Sequence, residues 1–148
     1  MAYRSQTDAN FTVTRSQPLI KDLDLLPYPA RHLLPMNAYD EDLHVRKVRA
    51  AGVITSRGCP FKYSFCASPF LWKRIVRQRS VANVIGELRE LVEEYGYQGV
   101  HFYDDDFCLD ATKVEDLCHM MIRERLNIKW ICLSRARTIN ARAILCPS

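Results

Sequence analysis

Three short apolar runs, separated by two amphipathic helical repeats, constrain this chain more than any other feature. The runs are 50–55, 99–103 and 128–133. Between the first two, Ser80 offers an N-cap, and Val81, Val84, Ile85, Leu88, Leu91, Val92 and Tyr95 recur at helical spacing. Gly96 supplies a stop, because glycine adopts the left-handed conformation that ends a helix. Between the second and third runs, Thr112 and Glu115 form a capping-box pattern ahead of Val114, Leu117, Cys118, Met121 and Ile122, with Asn127 as the stop. The order strand, helix, strand, helix, strand predicts an α/β fold with parallel strands joined by right-handed crossovers. Three strands are too few to close a barrel. A further helix signal begins near Asn140 and is cut short at Ser148, so the pattern is expected to be a fragment of a longer protein.

Residues 1–50 contrast with this. Pro18, Pro27, Pro29 and Pro35 recur among short apolar pairs such as Leu25-Leu26 and Leu33-Leu34. Proline removes a backbone donor and fixes φ, so a linker or extended segment is expected here, followed by a core over 51–148. The chain has 148 residues and a net charge of +4, with acids nearly balancing bases, which gives no reason to expect a nucleic-acid partner. No apolar leader opens the sequence and no run is long and apolar enough to span a membrane, so the expected location is the cytoplasm. In a reducing compartment the six cysteines are expected as ligands or core residues rather than disulfides.

Chemistry gathers where the strands end. In α/β folds ligands collect at the carboxyl ends of parallel strands. After the first run comes Ser56-Arg57-Gly58-Cys59-Pro60-Phe61-Lys62-Tyr63-Ser64-Phe65-Cys66. After the second comes Asp104-Asp105-Asp106, and after the third Ser134 and Arg135. By spacing alone Cys59 and Cys66 are open to two readings, buried loop residues or metal ligands, and they lie too far apart for the close pairs of ordinary zinc sites. The acidic run can bind Mg²⁺ or a ligand's ammonium group, or can serve only as a strand-to-helix turn. Asp106 or Asp110 would then favour the next helix. A phosphoryl-transfer reading lacks a Gly-rich phosphate loop. The basic stretch Trp72-Lys73-Arg74-Ile75-Val76-Arg77-Gln78-Arg79 reads as a solvated loop or exposed strand rather than a phosphate-contacting surface. His101 and His119 read as structural, and Cys118 and Cys132 as core.

From Ala51 to Arg135 the chain resembles the radical S-adenosylmethionine superfamily, in its branch with an N-terminal cobalamin-binding domain. The family loop is Cys-x3-Cys-x2-Cys, and Ser56, Arg57, Gly58, Cys59, Pro60, Phe61, Phe65 and Cys66 match its usual setting. Ser68-Pro69-Phe70-Leu71-Trp72, Phe102-Tyr103-Asp104-Asp105 and Trp130-x-Cys132-x-x-Arg135 also look like this branch, as does the proline-containing segment from Asp22 to Pro29.

The resemblance implies a partial (β/α)6 TIM-like barrel, truncated here to its first β/α units. It implies a [4Fe-4S] cluster whose open iron binds S-adenosyl-L-methionine and cleaves it reductively to a 5′-deoxyadenosyl radical acting on a small-molecule substrate. Cys59 and Cys66 would ligate the cluster, Phe65 would flank cluster and adenine, Asp104 and Asp105 would hold the methionine amino group, and Arg135 would be a polar contact. An electron donor such as flavodoxin or ferredoxin is implied, and cobalamin in a full-length parent. Tyr63 occupies the middle-cysteine position. A phenolate ligates iron in some haem proteins but is a poor substitute for a cluster thiolate. The alternative is therefore a catalytically incompetent relic or binding module on the same scaffold.

Overall fold

The computed structural model describes residues 2–4, 11–39, 41–42 and 48–139. Three strands, β4 (Arg49–Val53), β7 (Gly99–Phe102) and β8 (Lys129–Cys132), form a parallel sheet in that order. Val53 lies beside Phe102, and Phe102 beside Cys132, so all three strands end level with one another. A two-residue strand, β3 (Glu41–Asp42), adds an antiparallel edge to β4, which the expectation of parallel strands did not include. Two further antiparallel pairs stand apart from this sheet: β1 (Ala2–Arg4) with β2 (Phe11–Val13), and β5 (Ser56–Arg57) with β6 (Arg77–Gln78).

The connections between the parallel strands carry α2 (Val81–Glu93) and α3 (Ala111–Arg123). α2 starts where Ser80 Oγ accepts from Asn83 N at 3.1 Å, as the sequence predicts. The chain turns at Gly96, whose φ is 67°. Val84, Ile85, Leu88 and Leu91 are buried at the i, i+1, i+4 and i+7 positions of one face. α3 buries Val114, Leu117, Cys118 and Met121 in the same way. These faces pack on Ala51, Val53, Val100 and Phe102 of the sheet to make one core. The core is held chiefly by removing aliphatic and aromatic side chains from water, at about 25 cal/mol per Å² of apolar surface.

The ends of α3 differ from expectation. Its N-cap is Asp110, whose Oδ1 accepts from Lys113 N at 3.2 Å, and not the Thr112–Glu115 box. The carboxylate two residues upstream reaches the free N–H groups first, which leaves Thr112 inside the helix. The stop is at Arg125, in a left-handed conformation with φ 54°, ahead of Asn127. The helix signal near Asn140 lies outside the described residues. A short helix, α1 (Ser68–Trp72), was not foreseen.

Among the described residues of the N-terminal segment there is no α-helix, and two single 3₁₀ turns occur at Arg31–Leu33 and Met36–Ala38. The segment is nevertheless bound to α2. Asp24 Oδ1 accepts from Ser80 N at 2.9 Å, next to the helix N-terminus where negative charge is favoured. Tyr28 Oη donates to Asn83 O at 2.8 Å, and passes so close to Gly86 that a Cβ there would lie 2.4 Å from the hydroxyl. Arg31 is buried and pairs with Glu87, whose other oxygen is held by Arg79. Leu25, Leu33 and Leu34 stay exposed and Leu26 is half-buried, so docking is through polar anchors, Leu23 and Met36 more than through the apolar pairs.

Candidate functional site

The level carboxyl ends of β4, β7 and β8 bring the three sequence-predicted groups to one end of the sheet. The loop that follows β4 is closed at its base by the β5–β6 hairpin, so 58–76 leaves and returns at one point. Gly58 makes the first bend with φ 103°. A Cβ at this position would lie 2.2 Å from the Ile75 carbonyl oxygen, so only glycine permits the crossing.

Asp104 does not face this loop as a free carboxylate. It is 1% exposed. Its Oδ1 accepts from Thr55 N at 2.8 Å, from Ser56 Oγ at 3.0 Å and from Ser56 N, and its Oδ2 accepts from Thr55 Oγ1 at 2.9 Å. These bonds tie the end of β7 to the turn that starts the cysteine loop. Burial pushes the Asp104 carboxyl above its ordinary range, opposed by the donors from Ser56 and Thr55. Asp105 is exposed and accepts from Ser68 Oγ at 3.0 Å on α1. Asp106 is buried and gathers the turn after β8: its Oδ1 accepts from Thr138 Oγ1 at 2.8 Å, from Arg135 N at 3.4 Å and from Ser134 Oγ. The three aspartates thus divide into two that order loops and one that faces outward.

Arg135 crosses to the cysteine loop. Its guanidinium lies 3.4 Å from the centre of the Phe61 ring and 5.4 Å from that of Tyr63. Tyr63 stacks on Phe65 with ring centres 5.3 Å apart. Phe65 is 86% exposed, an open aromatic face beside Cys66. Cys59 is buried, and Cys66 N donates to Tyr63 O at 3.3 Å. The middle position therefore holds an aromatic stack under a cation.

Among the described residues no three His, Cys, Asp or Glu side chains converge as a metal site. A [4Fe-4S] cluster needs thiolate ligands, and this loop offers two, Cys59 and Cys66, around a phenol. The residues present do not fit a three-thiolate cluster. Cys108 and Cys132 do not extend the set. They sit together, and burial, followed by the neighbouring Cys108, pushes the Cys132 thiol up to about 12. At pH 8 its thiolate fraction is about a thousandfold below that of an ordinary thiol, because each unit of pKa is a factor of ten. Cys118 is disulfide-bonded, which corrects the expectation that none of the cysteines pairs. Among the free cysteines Cys59, Cys66, Cys108 and Cys132, alkylation followed by peptide mass spectrometry is expected to modify Cys66 early and Cys132 last. Equal rates at the two would remove this assignment.

No protein-family model matches the chain. It is 39% identical over 126 residues to an uncharacterized methyltransferase of Pyrococcus horikoshii, across 85% of this chain and 27% of that protein. It is 32% identical over 111 residues to the cytidylyl-2-hydroxyethylphosphonate methyltransferase of Streptomyces wedmorensis, across 70% of this chain and 21% of that protein. It is 31% identical over 119 residues to the anaerobic magnesium-protoporphyrin IX monomethyl ester cyclase of Cereibacter sphaeroides, across 79% of this chain and 19% of that protein. The chain is similar to methyltransferases and an anaerobic cyclase. It spans about a fifth to a quarter of the length of these relatives. No helix among the described residues is long and apolar enough to cross a membrane.

Sequence reasoning missed the internal roles of the basic stretch. Arg77 is buried, with its Nη1 donating to Ile20 O at 2.9 Å, and Arg79 donates through Nε to Asn83 Oδ1 at 2.6 Å besides pairing with Glu87. Lys73 and Arg74 are exposed, as expected of a solvated loop, whereas Arg77 is buried and Arg79 half-buried. The only signal was a strand-like alternation at 75–79 with arginine at the inward positions. His101 packs its ring 3.8 Å from that of Tyr103.

Proposed function

We propose that this chain provides the opening β/α units of a radical S-adenosylmethionine core domain, of the kind found in methyltransferases and cyclases, with its cluster loop incomplete. The observation that supports this best is the convergence of the cysteine loop, the acidic run and Arg135 at the carboxyl ends of three parallel strands. The names of the relatives agree with it, since they are methyltransferases and an anaerobic cyclase. On this reading the three strands belong to a partial (β/α)6 barrel.

Within that reading the residues take unequal parts. Asp105 and Arg135 would be the polar contacts to S-adenosyl-L-methionine, and Phe65, whose ring is exposed, would flank the adenine. Asp104 acts one step back, by holding Thr55 and Ser56 and so the start of the loop. Cys59 and Cys66 are the thiolates available to iron. With Tyr63 between them, radical formation is not assigned to this chain, and the incompetent scaffold is the form that the donor set favours. Methyl transfer to, or ring closure in, a small molecule is the reaction class of the complete enzymes.

Anaerobic reconstitution with iron and sulfide tests this. The unaltered chain is expected to retain well under four irons, and Tyr63→Cys to rise towards the four of a complete cluster, with thiolate-to-iron charge-transfer absorption. Four irons per unaltered chain together with cleavage of S-adenosylmethionine would overturn the account of Tyr63. No gain of iron in Tyr63→Cys would overturn the cluster loop itself.

A further inference from the structure

We propose that the β5–β6 hairpin carries a binding site for a small oxyanion, a carboxylate or phosphate group, held between the guanidinium groups of Arg57 and Arg77. The hairpin register places these two residues directly opposite one another. Directly opposed residues of an antiparallel pair put their Cβ atoms about 4.5–5.5 Å apart on the same face, and like charges so placed repel. Neither arginine has an acidic partner among the described residues. The ion pairs there belong to Arg31, Arg79 and Arg89.

Arg77 is 8% exposed, and its guanidinium lies 5.1 Å from the centre of the Trp72 ring. Nη1 is satisfied by the Ile20 carbonyl, but Nε and Nη2 are buried without a hydrogen-bond partner. These two atoms form one edge of the planar guanidinium, the edge whose parallel N–H groups match the two oxygens of a carboxylate or phosphate. A buried charge with two orphaned donors is costly unless an anion meets it. Arg57 stands exposed on the same side and supplies the second positive charge at the entrance. One buried fork walled by an indole selects a compact anion. A nucleic-acid backbone would need a row of exposed cations.

The site adjoins the cysteine loop, since Gly58 follows Arg57 and a Cβ there would lie 3.3 Å from Trp72 Cβ. It is independent of iron and of the family reading.

The test titrates the full chain with inorganic phosphate, acetate or chloride at constant ionic strength, and follows the melting temperature and the arginine Nε–H resonances. Phosphate, acetate or both are expected to raise the melting temperature saturably above chloride, and to shift the Arg77 Nε–H signal. Which of the two acts assigns the anion class. Arg57→Gln, at an exposed position that should leave folding intact, is expected to weaken binding about 10- to 100-fold, the worth of one charge-assisted hydrogen bond. Arg77→Met is expected to abolish it. If Arg77→Met does not fold, Arg57→Gln decides alone. A response equal to that of chloride, or binding unchanged in Arg57→Gln, would overturn the site.

Discussion

Glu87→Ala is expected to destabilise the chain by about 3–5 kcal/mol, the cost of leaving a buried charge without its partner. Glu87 is 1% exposed on the face of α2 that meets the N-terminal segment. Its two carboxylate oxygens are each taken by an arginine, Arg31 and Arg79, whose side chains are 5% and 12% exposed. Removing the carboxylate leaves two guanidinium groups that water reaches poorly. For a domain with a total stability of about 5–15 kcal/mol, that is about a fifth or more of the whole. The loss is also expected to be local. Arg31 ties residues 22–31 to α2, so amide exchange in that stretch should accelerate even where the core stays protected. Glu90→Ala is the control, since Glu90 is 3.9 Å from Arg31 and its side chain is 23% exposed, a pair expected to contribute under about 1 kcal/mol. Denaturant midpoints of the two variants check the claim. A loss below about 1 kcal/mol in Glu87→Ala would show that the arginines find water or other acceptors.

The second large effect is expected at Asp104. Asp104→Ala removes the acceptor for four donors, Thr55 N, Thr55 Oγ1, Ser56 N and Ser56 Oγ. An unsatisfied buried donor costs about 1–3 kcal/mol, and the four share one site, so a loss of about 3 kcal/mol is expected. The cysteine loop should loosen with it, because Thr55 and Ser56 form the turn that leads into it. Protease cleavage within 58–76 measures that. Asp104→Asn keeps one acceptor and should lose about half as much. The pH dependence has a definite sign. The folded carboxyl titrates above its ordinary value of 3.8, so the folded state holds the proton more tightly than the unfolded chain. Its contribution to stability is fully present below that value and is lost as pH rises through the raised one. Asp104→Asn should flatten that slope, and an unchanged slope would place the titration elsewhere.

The parts of this fold that were legible in the sequence are those set by local periodicity. The buried stripe of α2 and the Ser80 cap are written in residues three and four apart, and the strands show as short apolar runs. The start of α3 was misplaced because Thr112 and Asp110 both offer an oxygen, and local chemistry does not say which reaches the free N–H groups. The candidate site was legible as a set of strand ends, since parallel topology brings those ends together. The division of labour within it was not. Asp104 and Asp105 are equivalent as letters, yet one is sealed under Thr55 and Ser56 and the other is exposed.

By itself the sequence determined the alternation of strands and helices, the two cysteines with a tyrosine between them, and hence a donor set short of one thiolate. Covalent order and side-chain type suffice for these. Only the tertiary structure decided which charges are buried together. Glu87 meets Arg31 across 56 positions of chain, and Arg57 is set against Arg77 by a two-residue register. The energy of a charge depends on its neighbours and on water, and both are assigned only when distant segments pack.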